Sequence, residues 1–350
     1  MHGKRDAVVG HDDFASRGIL DFHYPIGEKG KIVDFESLED LLSYTAECGL
    51  KCDMKGKSVL LCETYNQDRE VREREIQILF ETFKVDSSYV AVSSILAMYS
   101  TGRTSGIILE CGAGRTLVIP VYEGYPISSG VVEHCYTGHD MASLLAKKIS
   151  EHEQNRRTGL DLNNAYGVYL TESAVIEKVV NFAVDDAATG QGSQGTSSEQ
   201  VSSSTYALPD GKEVYIDETM ISECRNMYFS PDGDSLHQEQ PIQGIVQHTE
   251  TCLQKIDVDV RHVGETVVLT GGVTGCKGFH ECFVTNIKYL QTRRSFAKSC
   301  VSWKNFVNHP CHMAWYGGSI LAALQTYRSM WIFKNEYDES GPTIVHRKCF

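Results

Sequence analysis

The sequence predicts an α/β fold on three observations: short apolar runs of strand length, amphipathic stretches of helical period lying between them, and glycine-rich turns joining the two. With 350 residues, 41% of them hydrophobic, the chain is long enough for one large two-lobed domain or two ordinary ones.

Taken in order, Ser58-Val-Leu-Leu-Cys62 reads as a buried strand. Asn66 and Asp68 are caps for a helix over Arg69–Phe83, in which Glu70 and Arg74 stand four apart and Ile76, Leu79, Phe80 and Phe83 form the apolar face. The stretch Tyr89–Tyr99 predicts a second, more apolar helix. Gly106–Gly114 and Thr116–Tyr122 are two apolar runs around a glycine-rich turn, which is a hairpin signature. A long helix fills 139–152. Residues 187–205 are rich in Ser, Gly, Gln and Thr and predict a flexible surface loop. Thr266–Thr270 is a strand running into Gly271-Gly272, a turn tight enough to bring backbone close to a ligand. A C-terminal helix carries Ile320, Leu321, Leu324, Tyr327 and Met330 along one stripe. No short-period repeat is visible.

Composition excludes several classes. No run reaches the roughly twenty apolar residues of a membrane span, and the Met1-His-Gly-Lys-Arg-Asp6 opening lacks the apolar core of a secretory signal. A soluble intracellular protein is the expectation. A net charge of −13, spread along the chain, argues against a nucleic-acid backbone as ligand and favours partners with basic surfaces. The twelve cysteines are expected as free thiols. Cys48 and Cys52, and Cys311-His312 near His309, lack the further ligands of a structural zinc site.

The segments Trp315-Tyr-Gly-Gly-Ser-Ile-Leu-Ala-Ala-Leu324 and Met330-Trp331 through Glu336-Tyr-Asp-Glu-Ser-Gly-Pro-Thr-Ile-Val-His-Arg-Lys-Cys-Phe350 resemble the C-terminus of the actin family almost residue for residue. Further matches follow in family order: Arg17-Gly-Ile-Leu, Tyr24-Pro-Ile, Ile78-Leu-Phe-Glu-Thr-Phe83, Tyr99-Ser-Thr-Gly-Arg-Thr-Ser-Gly106, Pro120-Val-Tyr-Glu-Gly-Tyr125, Tyr206-Ala-Leu-Pro-Asp-Gly211, Asp257-Val-Asp-Val-Arg261 and Leu269-Thr-Gly-Gly272. The resemblance is weakest over 150–205 and 220–250. It implies the two-lobed actin-like ATPase fold shared with sugar kinases and heat-shock chaperones, a fold that does not by itself settle function. It also implies a division into a remnant of the subdomain carrying the DNase-binding loop (1–24), an outer large subdomain (25–100 with 313–350), an inner large one (101–136 with 231–312) and an inner small one (137–230).

For the nucleotide site the resemblance implies ATP or ADP with Mg2+, weakly held. The chain aligns from a point after the family's first phosphate hairpin, so that hairpin is expected to be missing. In the second hairpin Gly112 and Gly114 match family glycines, while Glu110 stands where an Asp helps hold the hydrated cation and Ala113 replaces a second Asp. Ser93 and Leu117 stand where the family positions its attacking water with Gln and His, so no catalytic residue is assigned and little hydrolysis is expected. Glu177 matches a ribose-contacting acid, and Gly271 and Gly272 match a turn against the nucleotide. Ile176 and Cys311 each replace a Lys. The same two glycines equally suit a strand-to-helix turn that needs glycine anyway.

The family's barbed-end groove maps onto Tyr99, Gly102, Thr104, Gly124, Ile320, Leu321, Leu324, Thr326 and Met330. The aliphatic members also suit the buried side of a helix. At the opposite, pointed end, His2–Asp13 is too short for the full inserting loop, and Ser230-Pro-Asp-Gly-Asp-Ser-Leu-His237 is polar where actins carry an apolar plug. The expectation is therefore a cytoplasmic, cytoskeletal actin-like protein acting through protein–protein contacts with actin or actin-binding proteins, as copolymer, cap or complex subunit. A non-polymerising subunit of a nuclear or axonemal complex, and a conventional ATP-hydrolysing actin with a truncated gene model, are the alternatives.

Overall fold

The structure is a computed structural model that describes residues 30–157, 175–182, 211–230, 243–291 and 303–349, together with Val9, 23–27, 162, 167–168, 171, 204–208 and 299–301. Along the chain its strands are β1 (Ser58–Glu63), β2 (Ser87–Val92), β3 (Gly106–Cys111), β4 (Thr116–Tyr122), β5 (Tyr125–Pro126), β6 (Val132–His134), β7 (Ser204–Ala207), β8 (Glu213–Ile216), β9 (Thr266–Thr270), β10 (Ser299–Val301) and β11 (Ile332–Phe333). Helices separate the strands except within the run β3 to β6 and between β7 and β8. The chain divides into two compact units, one of Met1–Ser100 with Ala314–Phe350 and the other of Thr101–Met313. No helix among the described residues is long and apolar enough to cross a membrane.

In the first unit β2 is central in the sheet order β1-β2-β11. It runs parallel to β1, with Ser58 opposite Ser87, and antiparallel to β11, with Ile332 opposite Ser88. Every residue of β2 is buried. Residues 89–92 therefore belong to a strand, and the helix expected over Tyr89–Tyr99 starts only at Ser93, spanning Ser93–Ser100. A continuously apolar run has no period to separate strand from helix, and Val90 and Val92 favour the pleat. β1, at the sheet edge, keeps Ser58 and Cys62 exposed, so it is not the fully buried strand its apolar run suggests.

The helix Arg69–Gln77 passes into a wider π turn over Ile78–Thr82. Its apolar face packs as expected, with Ile76, Leu79 and Phe80 buried and Phe83 partly so. Asp68 is the N-cap residue but gives no side-chain cap bond; its carboxylate takes Lys31 at 2.9 Å. Asn66 sits at φ 58° in the turn before it. Arg74 donates to Gln77 at 2.8 Å, three residues on, in place of the expected pairing with Glu70.

The C-terminal helix spans Met313–Ala323, and Leu324 is already extended before a 3-10 turn over Gln325–Met330. One continuous stripe from Ile320 to Met330 is thus broken after a turn. This helix lies against residues 93–100 at backbone distance: a Cβ on Gly317 would fall 1.7 Å from the Leu96 carbonyl oxygen. Phe80 stacks on Tyr337 with ring centres 4.5 Å apart, fixing the C-terminal segment to the same core.

The second unit is built on a six-stranded sheet in the order β10-β9-β3-β4-β5, with β6 also on β4. β3 and β4 form the expected hairpin, with Cys111 opposite Thr116 and Glu110 opposite Leu117. β9 runs parallel to β3 and sets Thr270 beside Glu110. The helix Gly138–Glu151 starts at a capping box in which Thr137 and Asp140 bond each other's backbone amides. It buries Met141, Leu145 and Ile149 on the sheet. Of the loop expected over 187–205, residues 187–203 lie outside the described set, while Ser204 and Thr205 already pair in β7 with Ile216 and Tyr215 of β8.

Candidate functional site

The end of β3 and the start of β9's exit turn meet the N-terminus of the helix Gly138–Glu151. At the hairpin tip the Gly112 amide donates to the Arg115 carbonyl at 2.8 Å, closing the turn. The tip carbonyls point onward: Gly138 N–H donates to Gly112 O and His139 N–H to Ala113 O, both at 2.9 Å. Two amides that a helix start leaves without intrahelical partners are satisfied by the hairpin. β9 then ends at Gly271, whose φ of +91° and close approach to β3 both demand glycine, since a Cβ there would lie 2.3 Å from the Cys111 carbonyl oxygen. Gly272 has open space around it.

These elements enclose a cavity of about 270 Å3 inside the second unit. Ala113, Gly138 and Met141 line one part of it, Gly272, Val273 and Cys276 another, and Ile176, Glu177 and His309 the remainder. Among the described residues the lining carries one carboxylate and one imidazole, with no Lys or Arg. Glu177 Oε1 lies 3.2 Å from His309 Nε2, and His309 Nδ1 is 2.9 Å from Cys311 Sγ. Burial, and then the Glu177 carboxylate, push the Cys311 thiol above its ordinary value. Burial pushes the Cys276 thiol up to about 12, so it is an inert wall at neutral pH.

Of the residues the sequence picks out, Glu177 and Gly272 line the cavity, as do Ala113 and Ile176 at positions of altered chemistry. Gly112, Gly114 and Gly271 shape the turns around it without lining it. Glu110 is half-buried in β3 between Leu117 and Thr270. Leu117 is 1% exposed, its side chain sealed in the sheet. Ser93 starts its helix in the first unit. Sequence reasoning misses Gly138, Met141, Val273, Cys276 and His309. Gly138 had a legible signal, since Thr137 and Asp140 mark a helix start three residues apart.

The groove positions divide between the units. In the first, Ile320 and Leu324 are 47% and 48% exposed, whereas Leu321 is buried in the core. Tyr99 and Met330 are partly buried against that core and Thr326 is exposed. Trp315 and Tyr316, which the pattern does not single out, are exposed on the same helix. In the second unit Gly124 N–H donates to Thr104 O at 2.7 Å, and Gly102 and Gly124 both adopt positive φ. The pointed-end segment 2–13 and the polar stretch after Ser230 lie outside the described residues, apart from Val9.

Among the described residues, no group of three or more His, Cys, Asp or Glu side chains converges to hold a metal. The family model described as Actin matches residues 2–350.

Proposed function

The chain belongs to the actin family, and from that premise we propose that it works as a cytoskeletal protein through protein–protein contacts, with a weakened nucleotide pocket and little hydrolysis. The observation that carries this reading is Leu117. By the family resemblance it stands where the attacking water is positioned, and it is an apolar side chain buried in β4 opposite Glu110 and Glu133. Phosphoryl transfer draws its rate from positioning and electrostatics, and an isobutyl group supplies neither.

The pocket itself favours a nucleoside over a polyphosphate. Its volume, about 270 Å3, lies just below the range of ligand pockets, about 300–1,000 Å3. In this reading Glu177 accepts a hydroxyl, and with no Lys or Arg in the lining among the described residues, phosphates have no charge-assisted partner from them there. With Ala113 at the hairpin tip, Glu110 is the hairpin's remaining acid for a hydrated Mg2+, so a cation would be held weakly. When bound, Mg2+ would supply charge neutralisation at the phosphates.

The partner surface in this reading includes Ile320, about half exposed on a helix that also exposes Trp315, and Leu324, about half exposed just beyond the end of that helix. An amphipathic helix, or a loop of an actin subunit, fits such a surface. Together with the polar stretch after Ser230, this supports a copolymer, cap or complex subunit over a self-sufficient filament. The test is to purify the protein without added nucleotide, quantify ATP and ADP released on denaturation, and then measure phosphate release and co-sedimentation with actin filaments. Sub-stoichiometric nucleotide, slow release and filament association are expected. Turnover equal to that of conventional actin would overturn the proposal.

A further inference from the structure

Next to the cavity, three side chains from two separate segments stand in series. Cys311 is exposed, and its Sγ is 2.9 Å from His309 Nδ1. The Cys311 backbone N–H also donates to that nitrogen at 3.3 Å, so Nδ1 carries the lone pair and the ring proton sits on Nε2. Nε2 in turn lies 3.2 Å from the Glu177 carboxylate. A nucleophile within reach of a base, with a carboxylate close by the base, is the kind of arrangement that activates thiols and hydroxyls for covalent chemistry.

We propose that Cys311 is a covalent modification site that reacts with small disulfides by His309-assisted thiol–disulfide exchange. Cys311 Sγ attacks one sulfur of the disulfide, a new S–S bond forms, and the original one breaks. The thiol proton passes to His309 Nδ1 and then to the departing thiolate. The protein thiol ends oxidised as a mixed disulfide, and the other half of the reagent leaves reduced as a thiol. The thiol rests protonated, because burial and the Glu177 charge raise its pKa, which is why a base at 2.9 Å matters. The adduct forms beside His309, a residue of the cavity wall, and its formation needs no bound nucleotide.

The chain carries its own comparators. Cys48 and Cys52 are also exposed thiols, and among the described residues no hydrogen bond from either side chain to an imidazole is seen. The full-length protein is incubated with glutathione disulfide at pH 7.5, quenched, and each cysteine is quantified by peptide mass spectrometry. Cys311 is expected to react about tenfold faster than Cys48 or Cys52. His309→Ala should slow Cys311 about tenfold while leaving the other two unchanged. Faster labelling of Cys48 or Cys52, or an unchanged Cys311 rate in His309→Ala, overturns the proposal. Should buried Cys276 become labelled in that variant, it has misfolded, and His309→Gln, which keeps a polar side chain but supplies no base, then decides: slower Cys311 labelling supports the proposal and an unchanged rate overturns it.

Discussion

Glu75 is a carboxylate in the core of the first unit, and its removal should stabilise the protein at neutral pH. It sits on the helix Arg69–Gln77 at 5% exposure, with no hydrogen-bond partner for Oε2 among the described residues. The nearby guanidinium is already engaged: Arg72 Nε donates to Glu63 Oε2 at 3.1 Å, and Nη2 lies 2.9 Å from Glu63 Oε1. Burial first, and the Glu63 charge second, push Glu75 up to about 8 against an ordinary 4.5, with Arg72 offsetting part of the rise. A raised folded-state pKa means that the native protein holds this proton more tightly than the unfolded chain. Stability is therefore full below pH 4.5 and falls as pH rises towards 8. At about 1.4 kcal/mol per unit the loss is roughly 3 kcal/mol at pH 7 and about 5 kcal/mol above pH 8. Glu75→Gln keeps the shape and cannot ionise. Urea unfolding of both proteins at pH 5, 7 and 8.5 should show the variant's midpoint advantage growing from near zero to a value consistent with these energies. An advantage that is the same at all three pH values, or a variant less stable at pH 8.5, would refute the reasoning.

At the acid end the opposite slope comes from His134. Burial, and a second imidazole at His248, hold it down to about 4, although its Nε2 bonds the Met227 carbonyl at 2.9 Å. Its neutral form is native, so stability is full above pH 6.5 and is lost as pH falls towards 4, by about 2 kcal/mol at pH 5; His134→Phe should flatten that limb in the same urea series. Gly271→Ala, forced to φ +91° with its Cβ on the Cys111 carbonyl, should cost about 3 kcal/mol or more. Gly272→Ala, with open space, should cost less than about 1 kcal/mol in parallel unfolding curves. Ile176→Lys brings an ammonium to the cavity wall and should raise the ADP retained through gel filtration by about tenfold.

Much of the fold and part of the site was legible in the sequence. The hairpin of β3 and β4, the strand Thr266–Thr270 with its exit glycines, and the helix from Gly138 each carry their own local signal: two apolar runs around glycines, a β-branched run, a capping pair. The C-terminal motifs and those spread through the chain placed it in its family for the same reason, because local pattern survives without knowledge of packing. Other features required the tertiary structure. Residues 89–92 became a strand because they pair in parallel with Leu60–Glu63 of β1, a fact no window around Tyr89 contains. Ile320 and Leu321 are adjacent and both aliphatic, yet one faces solvent and the other the core, since a helix turns about 100° per residue and only its neighbours fix which face is inside. Gly271 and Gly272 look alike in sequence, and the approach of the Cys111 carbonyl separates them. His309, Cys311 and Glu177 lie more than a hundred residues apart along the chain between the acid and the other two, so their juxtaposition was decided by folding, which sets through-space distances that sequence spacing does not encode.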